Sequence, residues 1–173
     1  MTLRPFSLGD APAVQELAGE RDIADTTMNI PHPYEDGMAE EWINGHEPGY
    51  KDGEMAMFAI VNRDETVLVG AIGFQVDRDH DRAELGYWIG KPFWNHGYAT
   101  EAAIAMLAFG FDQLGLNRIQ AGHLARNPSS GRVMQKAGMV REGTARQAVI
   151  KWGQYEDLVS YGIVREDWIE RRQ

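Results

Sequence analysis

Glu84 stands in the middle of an apolar segment, Ala83-Glu84-Leu85-Gly86-Tyr87-Trp88-Ile89, and a carboxylate held among such neighbours is a candidate proton acceptor. Further along, Trp94-Asn95-His96-Gly97-Tyr98-Ala99-Thr100 runs straight into an alanine-rich stretch. A glycine turn that opens a helix leaves the first backbone N–H groups without internal partners and aimed outward. The positive end of the helix dipole favours an anion there, so this loop could hold a phosphate. Asn127-Pro128-Ser129-Ser130 has the form of a second helix opening, with Asn127 as cap and Pro128 in the first turn.

Other chemistries find no support. Neither G-x-x-x-x-G-K-[ST] nor G-x-G-x-x-G occurs, which removes the common triphosphate and dinucleotide loops. The absence of cysteine removes disulfides, thiolate nucleophiles and cysteine zinc sites, and is compatible with a cytoplasmic location. His80 and His123 lack the partner spacing of a metal site, so no metal is expected. A net charge of −9 argues against a broad nucleic-acid surface. No stretch approaches the roughly 18 apolar residues of a membrane span.

The chain of 173 residues reads as a single domain, 1–173, without repeats or linkers. Thr2-Leu3-Arg4-Pro5 suggests a short edge strand. Asp10 is placed to cap a helix with the stripe Ala13, Val14, Leu17 and Ala18, and a second helix is expected from about Glu35 to His46. Apolar, β-branched runs at Met55 to Asn62 and Val67 to Val76 read as antiparallel strands joined at Arg63-Asp64-Glu65. In the strand that follows, alternation places Ala83, Leu85, Tyr87 and Ile89 on one face and Glu84, Gly86 and Trp88 on the other. A helix from Ala99 to about Leu114, a strand from Asn117 to His123, a helix from Pro128 to Ala137 and two strands, Val140 to Val149 and Gln154 to Val164, complete the chain. The class is α+β or mixed α/β, with one crossover at the helix after Gly97.

In these residues the sequence resembles the GNAT superfamily of acyltransferases, and more narrowly the RimJ/RimL-type N-acetyltransferases. Ala83 to Ile89, the loop Trp94 to Thr100 with Glu101-Ala102 behind it, Asn127-Pro128-Ser129-Ser130 and Lys136-Ala137-Gly138-Met139 carry the likeness, which extends from Leu3-Arg4-Pro5 through Tyr155-Glu156-Asp157. The resemblance implies a central mixed, mostly antiparallel sheet of about seven strands flanked by about four helices. It implies acetyl-CoA as co-substrate and an amine acceptor, either a small molecule or a protein N-terminus, with a homodimer left open. The loop of Trp94, Asn95, His96, Gly97, Tyr98, Ala99 and Thr100 would bind the pyrophosphate, Trp88 and Ile89 would lie along the pantetheine arm, and Asn127 would hydrogen-bond that arm or cap its helix.

Acetyl transfer needs a neutral amine, a stabilised oxyanion and an outlet for the thiolate. Glu84 is the candidate base, set against a solvent-facing glutamate or one paired with Arg82 or Arg118. Where many relatives carry a tyrosine acid this chain has Met134, which has no proton to give, and Ser130 stands where RimL-like enzymes are thought to use a serine. His32 and Tyr34 fall where the acceptor-side loop of the family begins, with Trp42 and His46 on the helix behind. The alternative is a catalytically silent acyl-CoA-binding or sensing domain that keeps the loop at Gly97 and Asn127 without needing a base.

Overall fold

The computed structural model describes residues 1–64 and 66–172, so the connection at Arg63-Asp64-Glu65 lies partly outside it. Among the described residues seven strands form one sheet: β1 (Thr2–Arg4), β2 (Met55–Val61), β3 (Leu68–Asp77), β4 (Arg82–Ile89), β5 (Arg118–Leu124), β6 (Val140–Lys151) and β7 (Gln154–Val164). Their spatial order is β1-β2-β3-β4-β5-β7-β6. β1 is an edge strand, in keeping with Pro5 beside it, which has no N–H for a ladder bond. The helices are α1 (Ala11–Ala18), α2 (Arg21–Thr26), α3 (Met38–Asn44), α4 (His46–Lys51), α5 (Tyr98–Ala108), α6 (Pro128–Ala137) and α7 (Arg165–Glu170).

The four helices expected from the sequence correspond to α1, α3, α5 and α6. The short α2, α4 and α7 are additional, because six residues are too few to display an apolar stripe and Pro48-Gly49 disguises α4. The helix expected over Glu35 to His46 begins at Met38 and gives way to α4 at Gly45. Asp10 does not cap α1 through its side chain. Its carboxylate is taken by the Arg4 guanidinium, at 2.6 and 2.8 Å, and by the Ser7 N–H at 2.8 Å.

Period-two alternation gives the sheet two buried faces. Phe74, Leu85 and Ile119 pack under α5 and α6 with Met106, Leu107 and Met134, whereas Ala59, Ala71 and Trp88 pack under α1 and α3 with Val14, Ala18 and Ile43. The turn that continues α5 lies close to the sheet at Gly110, where a Cβ would come within 2.7 Å of the Ile119 Cδ1 and 3.0 Å of Phe74. There the helix widens into a π turn over Phe109–Gln113 before β5 begins.

Neighbouring strands run antiparallel except β4 and β5, which are parallel and joined through the crossover of α5. Their register holds for three pairs only, Arg82 with Arg118, Ala83 with Ile119 and Glu84 with Gln120. Past Glu84 the two strands diverge, although β4 stays paired with β3 to Ile89 and β5 with β7 to Leu124. The sheet therefore splits along one seam, and Glu84 sits at the apex of the split.

Candidate active site

The split opens into a cleft of about 1030 Å³. Its β4 wall runs from Glu84 to Ile89, its β5 wall includes Gly122, His123 and Leu124, and the loop from Phe93 to Thr100 closes one end. Backbone direction alternates along β4. The Gly90 N–H bonds to the Val69 carbonyl on β3, while the Asp81 carbonyl accepts from Asn117 and Arg118 on the β5 side. By that alternation Glu84, Gly86 and Trp88 direct their N–H and C=O groups at β3, and Leu85, Tyr87 and Ile89 direct theirs into the split. Apart from the Ile89 carbonyl, which accepts from the Trp94 indole, these edge groups have lost the strand that would pair with them, so an extended ligand can take its place. Trp88, expected along the ligand arm, lines the cleft, with its backbone paired to β3 and its indole packed toward the α1 and α3 core.

Gly97 has φ +84° at the N-cap of α5, a left-handed conformation that glycine adopts without cost. A Cβ there would meet nothing within 4 Å, so the requirement is one of backbone conformation rather than of crowding. The Gly97 carbonyl accepts from the Glu101 N–H at 3.0 Å, and no side chain caps the helix. The N–H groups of Tyr98, Ala99 and Thr100 thus open toward the cleft that these residues line. Asn95 and Gly97 line it as well, whereas His96 stacks loosely beside Tyr98, with ring centroids 6.1 Å apart. The polar atom of Trp94 is used internally: its indole N–H donates to the Ile89 carbonyl at 2.6 Å and ties the loop to β4. An uncapped helix start beside an unpaired strand edge fits a diphosphate followed by an amide-bearing arm.

Glu84 is exposed within the cleft rather than buried among its apolar neighbours, because its face of β4 borders the split. Neither arginine considered as its partner holds it: Arg82 pairs with Asp77 at 2.9 Å and Arg118 with Glu142 at 2.6 Å. Ser130, half-buried near the start of α6, also lines the cleft. Its hydroxyl lies 2.8 Å from the Tyr87 hydroxyl, which also reaches the Ser130 carbonyl at 3.0 Å. Burial pushes the Tyr87 phenol up to about 12 against the smaller effect of the Ser130 hydrogen bond, so it stays protonated. Because the one Tyr87 proton is donated to the Ser130 carbonyl, the Ser130 hydroxyl donates to the Tyr87 oxygen and presents its proton to the cleft only on rotating away from it. Sequence alternation put Tyr87 on the face away from Glu84 but gave no sign of this contact, which joins residues far apart in the chain.

Asn127 lines the cleft but does not cap α6 with its side chain. Its Nδ2 donates to the Thr26 carbonyl at 3.3 Å, joining the β5–α6 connection to the end of α2. Of the acceptor-side residues, Tyr34 and Trp42 line the cleft. Burial, and then the Glu40 charge, raises the Tyr34 phenol. His32 is exposed, outside the lining, with its ring nitrogen 3.1 Å from the Gly19 carbonyl. His46 is core, packed against Phe6 and Trp42 with centroids 5.3 and 4.4 Å away. Among the described residues no group of His, Cys, Asp or Glu is arranged to hold a metal, and no helix is long and apolar enough to cross a membrane.

Residues 1–140 match the family described as an acetyltransferase (GNAT) domain. The chain belongs to the GNAT acetyltransferase family. It is 32% identical over 168 residues to the uncharacterized N-acetyltransferase YnaD of Bacillus subtilis (strain 168), across 97% of this chain and 95% of that protein. An acetyltransferase of the GNAT family from Bacillus anthracis superposes with a TM-score of 0.83 at 30% identity, covering 95% of this chain and 94% of the other. The spermidine N-acetyltransferase from Vibrio cholerae, solved with CoA and spermine, shares the fold with a TM-score of 0.83 at 22% identity over 97% of each chain. This GNAT chain is an acetyl-CoA-dependent N-acetyltransferase.

Proposed function

We propose that this enzyme, of the RimJ/RimL type, transfers the acetyl group of acetyl-CoA to a primary amine by direct attack on the thioester, with Glu84 as general base. The carrying observation is that a single cleft joins the uncapped start of α5 to Glu84. The N–H groups at Tyr98, Ala99 and Thr100 hold the diphosphate, with the turn of Asn95, His96 and Gly97 shaping their approach. The edge of β4 and Asn127 hold the arm. An N–H of that edge meets the charge that develops on the thioester oxygen. With no cysteine in the chain, a thiol-bound acetyl-enzyme is excluded and direct attack is the simpler course.

The acceptor arrives as an ammonium and loses its proton to Glu84, directly or through one water, which the exposed carboxylate leaves room for. The first proton passes from Glu84 to solvent; the new C–N bond then forms as the C–S bond breaks, the sulfur leaves as a thiolate, and the second proton shed by the nitrogen goes to Glu84 or to water. Ser130, held by Tyr87, donates a hydrogen bond to that sulfur. Full proton transfer from the pair is disfavoured. Burial makes the Tyr87 phenol behind Ser130 a much weaker acid than a thiol of ~8.5, so proton transfer through the pair to the thiolate is uphill and the pair orients and solvates the leaving group.

Replacing Glu84 tests the reading. Glu84→Gln lowers kcat by about 100-fold or more, while acetyl-CoA affinity is retained. Unchanged turnover refutes the assigned base. Tight acetyl-CoA binding with no amine acetylated across a broad panel favours the silent binding domain instead.

A further inference from the structure

On the transferase reading just given, we infer that the acceptor is a singly charged amine with a compact apolar or aromatic group, seated over Gly86 between Trp88 and Met57. The register aligns Met57, Gly73 and Gly86 in one row across β2, β3 and β4. The Met57 thioether lies over Gly73, filling the place a side chain would take there. At Gly86 a Cβ would meet nothing within 4 Å, so the row ends in an empty slot on the floor of the cleft. Glu84 and Trp88 flank that slot on the same face of β4. Ile30, Tyr34 and Trp42 supply apolar surface on the wall formed by α3 and the segment before it.

Charge restricts the occupant further. Among the described residues Glu84 is the one carboxylate lining the cleft, although the chain carries 26 acidic residues. A polyamine would bring two or more ammonium groups to a site that neutralises one, leaving the others to lose hydration against Trp88 and Met57. Positions two apart on a strand lie roughly 6.8 Å apart. That distance accommodates an ammonium at Glu84, a short carbon link and a ring or branched chain over Gly86. The fold shared with a spermidine enzyme therefore does not extend to a polyamine site here.

The test compares 2-phenylethylamine with spermidine, using product mass for turnover and calorimetry on the CoA-loaded protein for binding. The expected kcat/KM favours 2-phenylethylamine by about tenfold or more. Gly86→Leu fills the slot and raises the KM for 2-phenylethylamine by about tenfold or more, with acetyl-CoA binding reporting an intact fold. Gly86→Ala, one methyl in the same space, gives a smaller shift in the same direction. A preference for spermidine, or an unchanged KM and affinity for 2-phenylethylamine in Gly86→Leu, overturns the inference. If 2-phenylethylamine binds in a Gly86-dependent way and is never acetylated, the pocket stands and the transferase reading falls.

Discussion

Glu84 and the Tyr87–Ser130 pair occupy opposite faces of β4, so in the proposed mechanism one strand supplies both the proton acceptor on the amine side and the hydrogen-bond donor on the thiol side. The two contributions differ in size. Because the pair solvates a leaving group that already departs readily as a thiolate, Ser130→Ala and Tyr87→Phe each lower kcat by about 3- to 30-fold, less than Glu84→Gln, in steady-state assays with one acceptor. A loss from Ser130→Ala equal to that from Glu84→Gln contradicts this division. Glu84 was legible in the sequence as a charged residue in an apolar strand, yet its burial was misjudged. Alternation gives the face on which a side chain lies, whereas the split that exposes that face depends on β5, which is far along the chain.

At the scale of elements, α5 must start at a left-handed glycine for its N–H groups to remain free. Gly97→Val forces a β-branched side chain into φ +84°, and acetyl-CoA affinity falls by about tenfold or more by calorimetry. Unaltered affinity contradicts the phosphate site. A second set of contacts ties α2 and the segment after it, whose residues 26–31 line the cleft, to β6, β7 and the β5–α6 connection. Arg126 pairs with Asp25 of α2 at 2.9 Å and with Glu156 of β7 at 2.7 Å, and Lys151 reaches the Ile30 carbonyl at 3.3 Å. Such exposed pairs are worth about 0–1 kcal/mol, so Arg126→Ala leaves the melting temperature nearly unchanged and raises the acceptor KM by loosening the segment over the cleft. The long strands and the crossover were readable because period and turn residues are local. α2 and the ties that hold it were not, because a six-residue helix has no pattern of its own and its contacts come from residues more than a hundred positions away.

Across the whole molecule, the proposed phosphate site suits an acidic chain, because backbone N–H groups at the start of α5 are offered alongside Arg132 and Lys136, which also line the cleft. Its stability carries a pH dependence set away from the site. Burial lowers His46 to about 4 from 6.5, and neither ring nitrogen has a partner. The unfolded chain therefore binds a proton below about 6.5 that the folded chain takes only near 4. Stability falls as pH drops through that window, by about 2 kcal/mol at pH 5. His46→Phe, measured by thermal unfolding at pH 5 and pH 7.5, reduces the difference between the two melting temperatures. An undiminished difference assigns the effect elsewhere. The most direct measurement of the central claim is a crystal structure with CoA bound. The account predicts the diphosphate on the N–H groups of Tyr98, Ala99 and Thr100, and the thiol between the diverging strands within reach of Ser130, with Glu84 open to the acceptor. A diphosphate held elsewhere, or a thiol directed away from the split, contradicts it.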